Sequence, residues 1–173
     1  TLAAKEVASI DGCHVLLTLV GKVVFVSDAS IDTLLSLHTA EMLSLLCWAT
    51  PTPSMPLGKS PPCQGNDLAS DDCPATKNWL DHFESLLLSL AIPQLRAIES
   101  AWRSAVGHSN VIRFRASVKR GGESSRAVSS PQMAGWLGAV CAEHLGWRVD
   151  LKDFDLEVLL QWNDVQVVLE CPI

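Results

Sequence analysis

Residues 111–126, VIRFRASVKRGGESSR, hold five of the chain's thirteen Lys and Arg residues: Arg113, Arg115, Lys119, Arg120 and Arg126. They face a single acid in that stretch, Glu123. So short a run of cationic groups suits phosphate neutralisation, which releases counterions and makes binding fall with salt. Ser124, Ser125, Ser129 and Ser130 add uncharged donors, and Pro131 marks a helix start whose backbone amides favour an anion. Trp136, in the first turns of that helix, could stack on a base, although a Trp there is more often packing.

The stretch carries a net +4 in a chain whose formal net charge is −6, so the remaining residues sum to −10. Any polyanion-binding surface is therefore local. A structural use of the same charges competes with binding. Asp155 and Glu157 project from alternate positions of a second strand and can pair with Arg113 and Arg115 as ordinary cross-strand neighbours. Lys119, Arg120 and Arg126 are less easily absorbed in this way.

Other chemistry is sparse. The sequence contains no GxGxxG, GxxxxGK[ST], GxSxG or HExxH pattern, which lowers the expectation of an enzyme. Cys141 and His144 have metal-like spacing but fall on or beside an apolar helical face, and core packing is the better reading. Cys63 and Cys73 flank a polar loop and could pair; with no CxxC among six cysteines, reduced thiols in an intracellular protein are expected instead. Asp71-Asp72 and Asp153, Asp155 and Glu157 read as solvated acids rather than cation ligands. No apolar run reaches the roughly 18 residues of a membrane-spanning helix, so the chain reads as soluble, and no basic stretch leads through an apolar core to a small-residue cleavage site, so no signal peptide is visible in these residues. Thr1 in place of Met and the apolar end at Ile173 read as those of an excerpt or a truncated product.

The elements that must position the basic stretch follow from periodicity. In VIRFRASVK, Ile112, Phe114, Ala116 and Val118 point one way and Arg113, Arg115, Ser117 and Lys119 the other, which predicts a half-buried strand. Gly121-Gly122 ends it. Ser129-Ser130-Pro131 then announces a capped helix, with Met133, Leu137, Val140 and His144 on one face and Gly146 closing it. FDLEVLLQW, the turn Asn163-Asp164 and VQVVLE predict a hairpin, with Phe154, Leu156, Val158, Leu160 and Trp162 on its buried face. The unit reads β–α–β–β.

Upstream, LAAKEVASI predicts a short helix ended by Asp11-Gly12, and residues 14–28 one or two strands around Gly21-Lys22. Ser30 caps a helix with Ile31, Leu34, Leu35 and His38 at helical spacing, and EMLSLLCW fits a buried strand or helix. Proline-rich residues 50–75 form a linker or long surface loop. Trp79, Phe83, Leu86, Leu87 and Leu90 make one helical stripe; Leu95, Ile98 and Trp102 make a second, behind Pro93 and before a stop at Gly107.

The wording FRASVKR (114–120), GWRVDL (146–151) and FDLEVLLQWND (154–164), in this order of elements, resembles the THUMP domain. More narrowly it is similar to THUMP domain-containing tRNA guanosine-N2-methyltransferases, over residues 111–169. AAKEV, GKVVFVSD and DTLLSLHTAEMLSLL resemble more briefly the ferredoxin-like layer that precedes such a core. The expected fold class is thus α+β: a partial ferredoxin-like N-terminal layer over 1–49, missing its first strand before Leu2, a Pro/Ser-rich linker over 50–75, and a THUMP-like RNA-binding domain over 76–173.

The resemblance implies a non-catalytic module that binds the 3′ acceptor end of tRNA and positions it for guanosine N2-methylation elsewhere. The expected RNA-binding residues are Arg113, Arg115, Lys119, Arg120, Arg126, Ser129 and Trp136, with no catalytic or metal-binding residue. No cofactor is expected in this chain; the family's S-adenosylmethionine belongs to a downstream methyltransferase domain, through which a small zinc-binding activator subunit would also associate. The [DN]-P-P-[FY] motif of that domain is not matched by SPPC (60–63). A cytoplasmic location is expected, with the nucleus as a second compartment. The alternative is an interaction or regulatory fragment without RNA binding, its arginines paired with Asp155 and Glu157.

Overall fold

The computed structural model describes residues 1–19, 21–52, 74–107, 111–122 and 128–173. The chain divides into two compact units, Thr1–Leu45 with Pro172–Ile173, and Leu46–Cys171. The architecture is α+β, with a two-stranded sheet in the first unit and a five-stranded mixed sheet.

In the N-terminal unit, α1 (Leu2–Ala8) starts where the Thr1 hydroxyl accepts the Ala4 N–H at 3.2 Å. Strands β1 (Cys13–Leu19) and β2 (Lys22–Ser27) form an antiparallel hairpin turned at Gly21, with an irregularity between Val15 and Leu17. Ser30 caps α2 (Ile31–Leu35), its hydroxyl accepting the Thr33 N–H at 3.2 Å. The helix ends before His38, because the carboxylate of Glu6 on α1 takes the N–H groups of His38 and Thr39 at 2.7 and 2.9 Å. These contacts and the Thr39 hydroxyl hold the Glu6 carboxyl below its usual range, the side-chain hydroxyl foremost. Val7 and Cys13 are buried here, whereas Leu2, Leu16, Leu17 and Val26 are exposed.

Strand β3 (Ser44–Pro51) makes the SLLCW part of the ambiguous EMLSLLCW a strand. It runs through the expected boundary at residue 49, and its Cys47 and Trp48 are buried in the core of the C-terminal unit. The change of composition at residue 50 marks the chain leaving that strand. Residues 53–73, which include most of the expected linker and both Cys63 and Cys73, lie outside the described residues.

Next comes a nearly continuous helical run: α3 (Pro74–Leu86), a π-helical turn (Leu87–Ala91) and α4 (Ile92–Val106) closed by Gly107 in the left-handed region. Pro93 has no N–H to return to the preceding turn, and the wider turn accommodates it. Its extra residue rotates the apolar stripe. Leu90, expected on that stripe, is instead 47% exposed, while Ala91 and Ile92 are buried beside Phe83, Leu87 and Leu95.

The sheet order is β3-β7-β6-β4-β5, built from β4 (Arg113–Arg120), β5 (Arg148–Val149), β6 (Leu156–Trp162) and β7 (Gln166–Pro172). β4 and β6 are parallel, so the chain must cross over between them, which α5 (Ser130–Leu145) does. β6 and β7 are antiparallel, turned where the Asn163 side-chain carbonyl accepts the N–H groups of Val165 and Gln166 at 2.8 and 2.9 Å. Ile112 and Phe114 meet Met133, Leu137 and Cys141 of α5 in one core with Val158, Leu160, Trp162, Val167 and Leu169. Each fully buried side chain of this size contributes about 1.5–3 kcal/mol.

Phe154 departs from the expected buried face. The strand begins only at Leu156, so the alternation does not extend back to Phe154, which stays outside the core cluster. The opposite face of the hairpin is not wholly exposed either, since Leu159, Val168 and Glu170 are buried.

Gly122, just past the end of β4, lies against the β6–β7 turn at φ +82, where a Cβ would collide with the Asp164 carboxylate. Gly122→Ala is expected to lower stability by about 1–3 kcal/mol in denaturant unfolding. An unchanged unfolding midpoint contradicts this placement of the turn.

Candidate nucleic-acid interface

Three of the expected site residues stand on one face of β4, where the parallel register with β6 decides their fate. Arg115 is aligned with Glu157, and Lys119 with Gln161. The Arg115 guanidinium donates to the Glu157 carboxylate at 2.9 Å and lies 4.3 Å from the centre of the Phe154 ring. Packing on an aromatic face and charge pairing both orient it. Its Nε is buried with no partner among the described residues.

Arg113 is held more tightly still. Its Nη2 reaches Asp155 at 3.1 Å and its Nη1 reaches Asp153, while its backbone N–H also donates to Asp155 at 2.9 Å. The Asp155 bond, then that of Asp153, raises the guanidinium above its ordinary pKa. The loop carrying these acids has its own anchor: the Asp150 carboxylate accepts the N–H groups of Asp153 and Lys152, each at 3.0 Å. Those two bonds, Asp153 first, lower the Asp150 carboxyl from its usual value.

Lys119 differs in its neighbours. Gln161, opposite it, is neutral, and the Gln161 amide is engaged by the carboxylate of buried Glu170. Lys119 is exposed and has no ion pair among the described residues. Arg120 is exposed as well but oriented, its Nε donating to the Ser130 hydroxyl at 2.7 Å and its Nη1 to the Val128 carbonyl. The end of β4 is thereby tied to the start of α5.

Ser129 caps that helix rather than offering a spare hydroxyl. Its Oγ accepts the Gln132 N–H at 3.3 Å, and the Gln132 side chain returns to the Ser129 N–H at 3.1 Å, completing a capping box. Trp136 is half-buried and packs against the core cluster. Arg126 lies outside the described residues. The structure thus brings Lys119, Arg120 and Ser129 to one end of β4 and α5, and separates them from the neutralised Arg113 and Arg115.

The anchoring roles of Ser130 and of the Val128 carbonyl were not legible in the sequence, nor was the stacking of Phe154 on Arg115. A serine after a cap is common, and the tie to Arg120 depends on how α5 returns to the sheet. Among the described residues no group of three His, Cys, Asp or Glu side chains could hold a metal ion, and no helix is long and apolar enough to cross a membrane.

No protein-family model matches the chain, and no curated protein matches it. Among solved structures, TrmN from Thermus thermophilus aligns at a TM-score of 0.53 and 19% identity, over 86% of this chain and 34% of that one. PH1313 from Pyrococcus horikoshii Ot3 aligns at a TM-score of 0.38 and 15% identity, over 53% and 27% of the two chains, too weakly to bear on the fold. The chain therefore spans about a third of TrmN's length, and this likeness concerns architecture alone. It agrees with a THUMP-like α+β fold.

Two outcomes follow from the ion pairs and their loop. A double-mutant cycle on Arg115→Ala and Glu157→Ala, read by urea unfolding, should give a coupling of about 0.3–1 kcal/mol, as for a partly exposed cross-strand pair. A coupling near zero contradicts the pairing. Because the folded Asp150 pKa is depressed, its contribution is present above the unfolded aspartate pKa and lost as pH falls through the folded value. Stability should fall less on acidification in Asp150→Ala than in the parent, and equal acid profiles would contradict the anchoring role.

Proposed function

We propose that this chain is a non-catalytic tRNA-binding module that holds the 3′ acceptor end through phosphate contacts at the end of β4. It would present a distant guanosine for N2-methylation by a separate catalytic domain. The observation that carries the reading is the contrast along one strand: Arg113 and Arg115 are consumed by Asp153, Asp155 and Glu157, whereas Lys119 stays exposed opposite a neutral Gln161. Its neighbour Arg120 is held against α5, close to the capped helix start. A cation oriented beside a helix N-terminus, Arg120, with exposed Lys119 adjacent at the same strand end, suits a phosphate and carries no base information.

The resemblance over residues 111–169 supplies the choice of RNA, and the TrmN-like architecture is compatible with it. Within the proposal, S-adenosylmethionine and the zinc-binding activator subunit belong to the catalytic domain. Arg126 remains a proposed contact. Arg113 and Arg115 act through the sheet, by fixing the register that sets Lys119 at the strand's end.

The ion pairs favour a second reading in one respect: a module whose arginines are internally neutralised can serve as an interaction fragment without binding RNA. Titration of the chain into tRNA with and without its 3′ CCA end, at several salt concentrations, separates the two. The tRNA reading requires affinity at low salt that weakens when CCA is removed. Lys119→Glu should weaken binding on the order of tenfold and flatten the salt slope by about one. Undetectable affinity at low salt, or indifference to the CCA end, supports the second reading.

A further inference from the structure

Three buried thiols gather in the C-terminal unit, none of them used by the proposed function: Cys47 on β3, Cys171 on β7 and Cys141 on α5. The Sγ atoms of Cys47 and Cys171 are 3.9 Å apart, on strands that are neighbours in the sheet. The two strands run antiparallel, since Thr52 N–H donates to Val165 O at one end and Ile173 N–H to Leu43 O at the other. A disulfide needs sulfurs about 2.05 Å apart. Side-chain rotation shared between two residues whose sulfurs already touch can close the difference.

The position of the pair gives such a bond a consequence. The chain passes between its two compact units at 45/46 and again at 171/172, within two residues of Cys47 and beside Cys171. A link between these cysteines joins positions 124 residues apart and closes a ring through the whole C-terminal unit. Constraining so long a loop restricts the unfolded chain more than the folded one.

We infer that Cys47 and Cys171 form a latent modification site, an intramolecular disulfide made when the chain meets a small peroxide. One thiolate attacks a peroxide oxygen, giving a sulfenic acid and one water after protonation. The second thiolate then attacks the sulfenic sulfur, forming the S–S bond and releasing a second water. Two thiols thus lose two electrons and two protons, and one peroxide becomes two waters.

Size selects the oxidant, because Cys47 is 6% and Cys171 1% exposed. The shared S–H contact with Cys171, and then burial, push the Cys47 thiol far above its usual pKa. Burial raises the Cys141 thiol to about 12. Neither is a ready nucleophile at neutral pH, so the bond forms slowly, during openings of β3, which lies at the sheet's edge.

The test is oxidation of the whole chain with hydrogen peroxide, followed by non-reducing peptide mapping and a thermal melt. The expected map shows a Cys47–Cys171 linked peptide, two mass units lighter than its two thiol peptides together, and still formed in Cys141→Ser. The linked chain should melt on the order of 10 °C higher, reversibly on reduction. Cys47 and Cys171 remaining as thiols, oxidised to sulfinic acids, or linked to Cys141 would each overturn the assignment. A linked chain that melts no higher would overturn the ring-closing consequence.

Discussion

The parallel pairing of β4 with β6 is the constraint from which the rest of the C-terminal unit follows. Parallel neighbours cannot be joined by a tight turn, so the chain needs a crossover, and α5 with its Ser129 cap and Gly146 stop is the element that supplies it. Covering one face of the sheet with α5 buries Phe114, Val158 and Leu160 and turns Arg113, Arg115 and Lys119 to the other. The same register then sets Arg115 against Glu157 and Lys119 against Gln161. The division of charge along β4 thus follows from strand alignment.

That alignment gives the acids a double role. Asp155 receives both the backbone N–H and the guanidinium of Arg113, so it holds the start of β4 as well as neutralising a cation. Asp150 braces the loop that brings Asp153 to the same guanidinium. An acidic chain can carry a basic strand in this way without presenting all of that strand's charge to solvent.

Alternation made β4 and the β6–β7 hairpin legible in the sequence, and Ser129, Pro131 and Gly146 made α5 legible, because each signal is local. The pairing of Arg113 and Arg115 with Asp155 and Glu157 was legible as one of two uses, since alternation fixes faces but not register. What escaped was tertiary. The π-helical turn before Pro93 rotates the stripe past Leu90, the two-residue β5 has no periodicity, and β3 joins the sheet of the second unit although its residues precede the proline-rich stretch. At the candidate site, Arg120's tie to Val128 and Ser130 depends on the return of α5, which no local pattern encodes. Arg126 lies outside the described residues.

The functional account rests on a strand whose first half is internally neutralised and whose last residues meet the capped start of a helix. Its central claim is that any tRNA contact lies at that end. Amide chemical-shift mapping of the labelled chain during titration with a tRNA acceptor stem bearing its CCA end tests this most directly. The account predicts shifts concentrated at Lys119, Arg120, Gly121, Ser129, Ser130 and Gln132, with Arg113 and Arg115 little changed. Shifts centred on Arg113 and Arg115, or none along β4 at low salt, would contradict it.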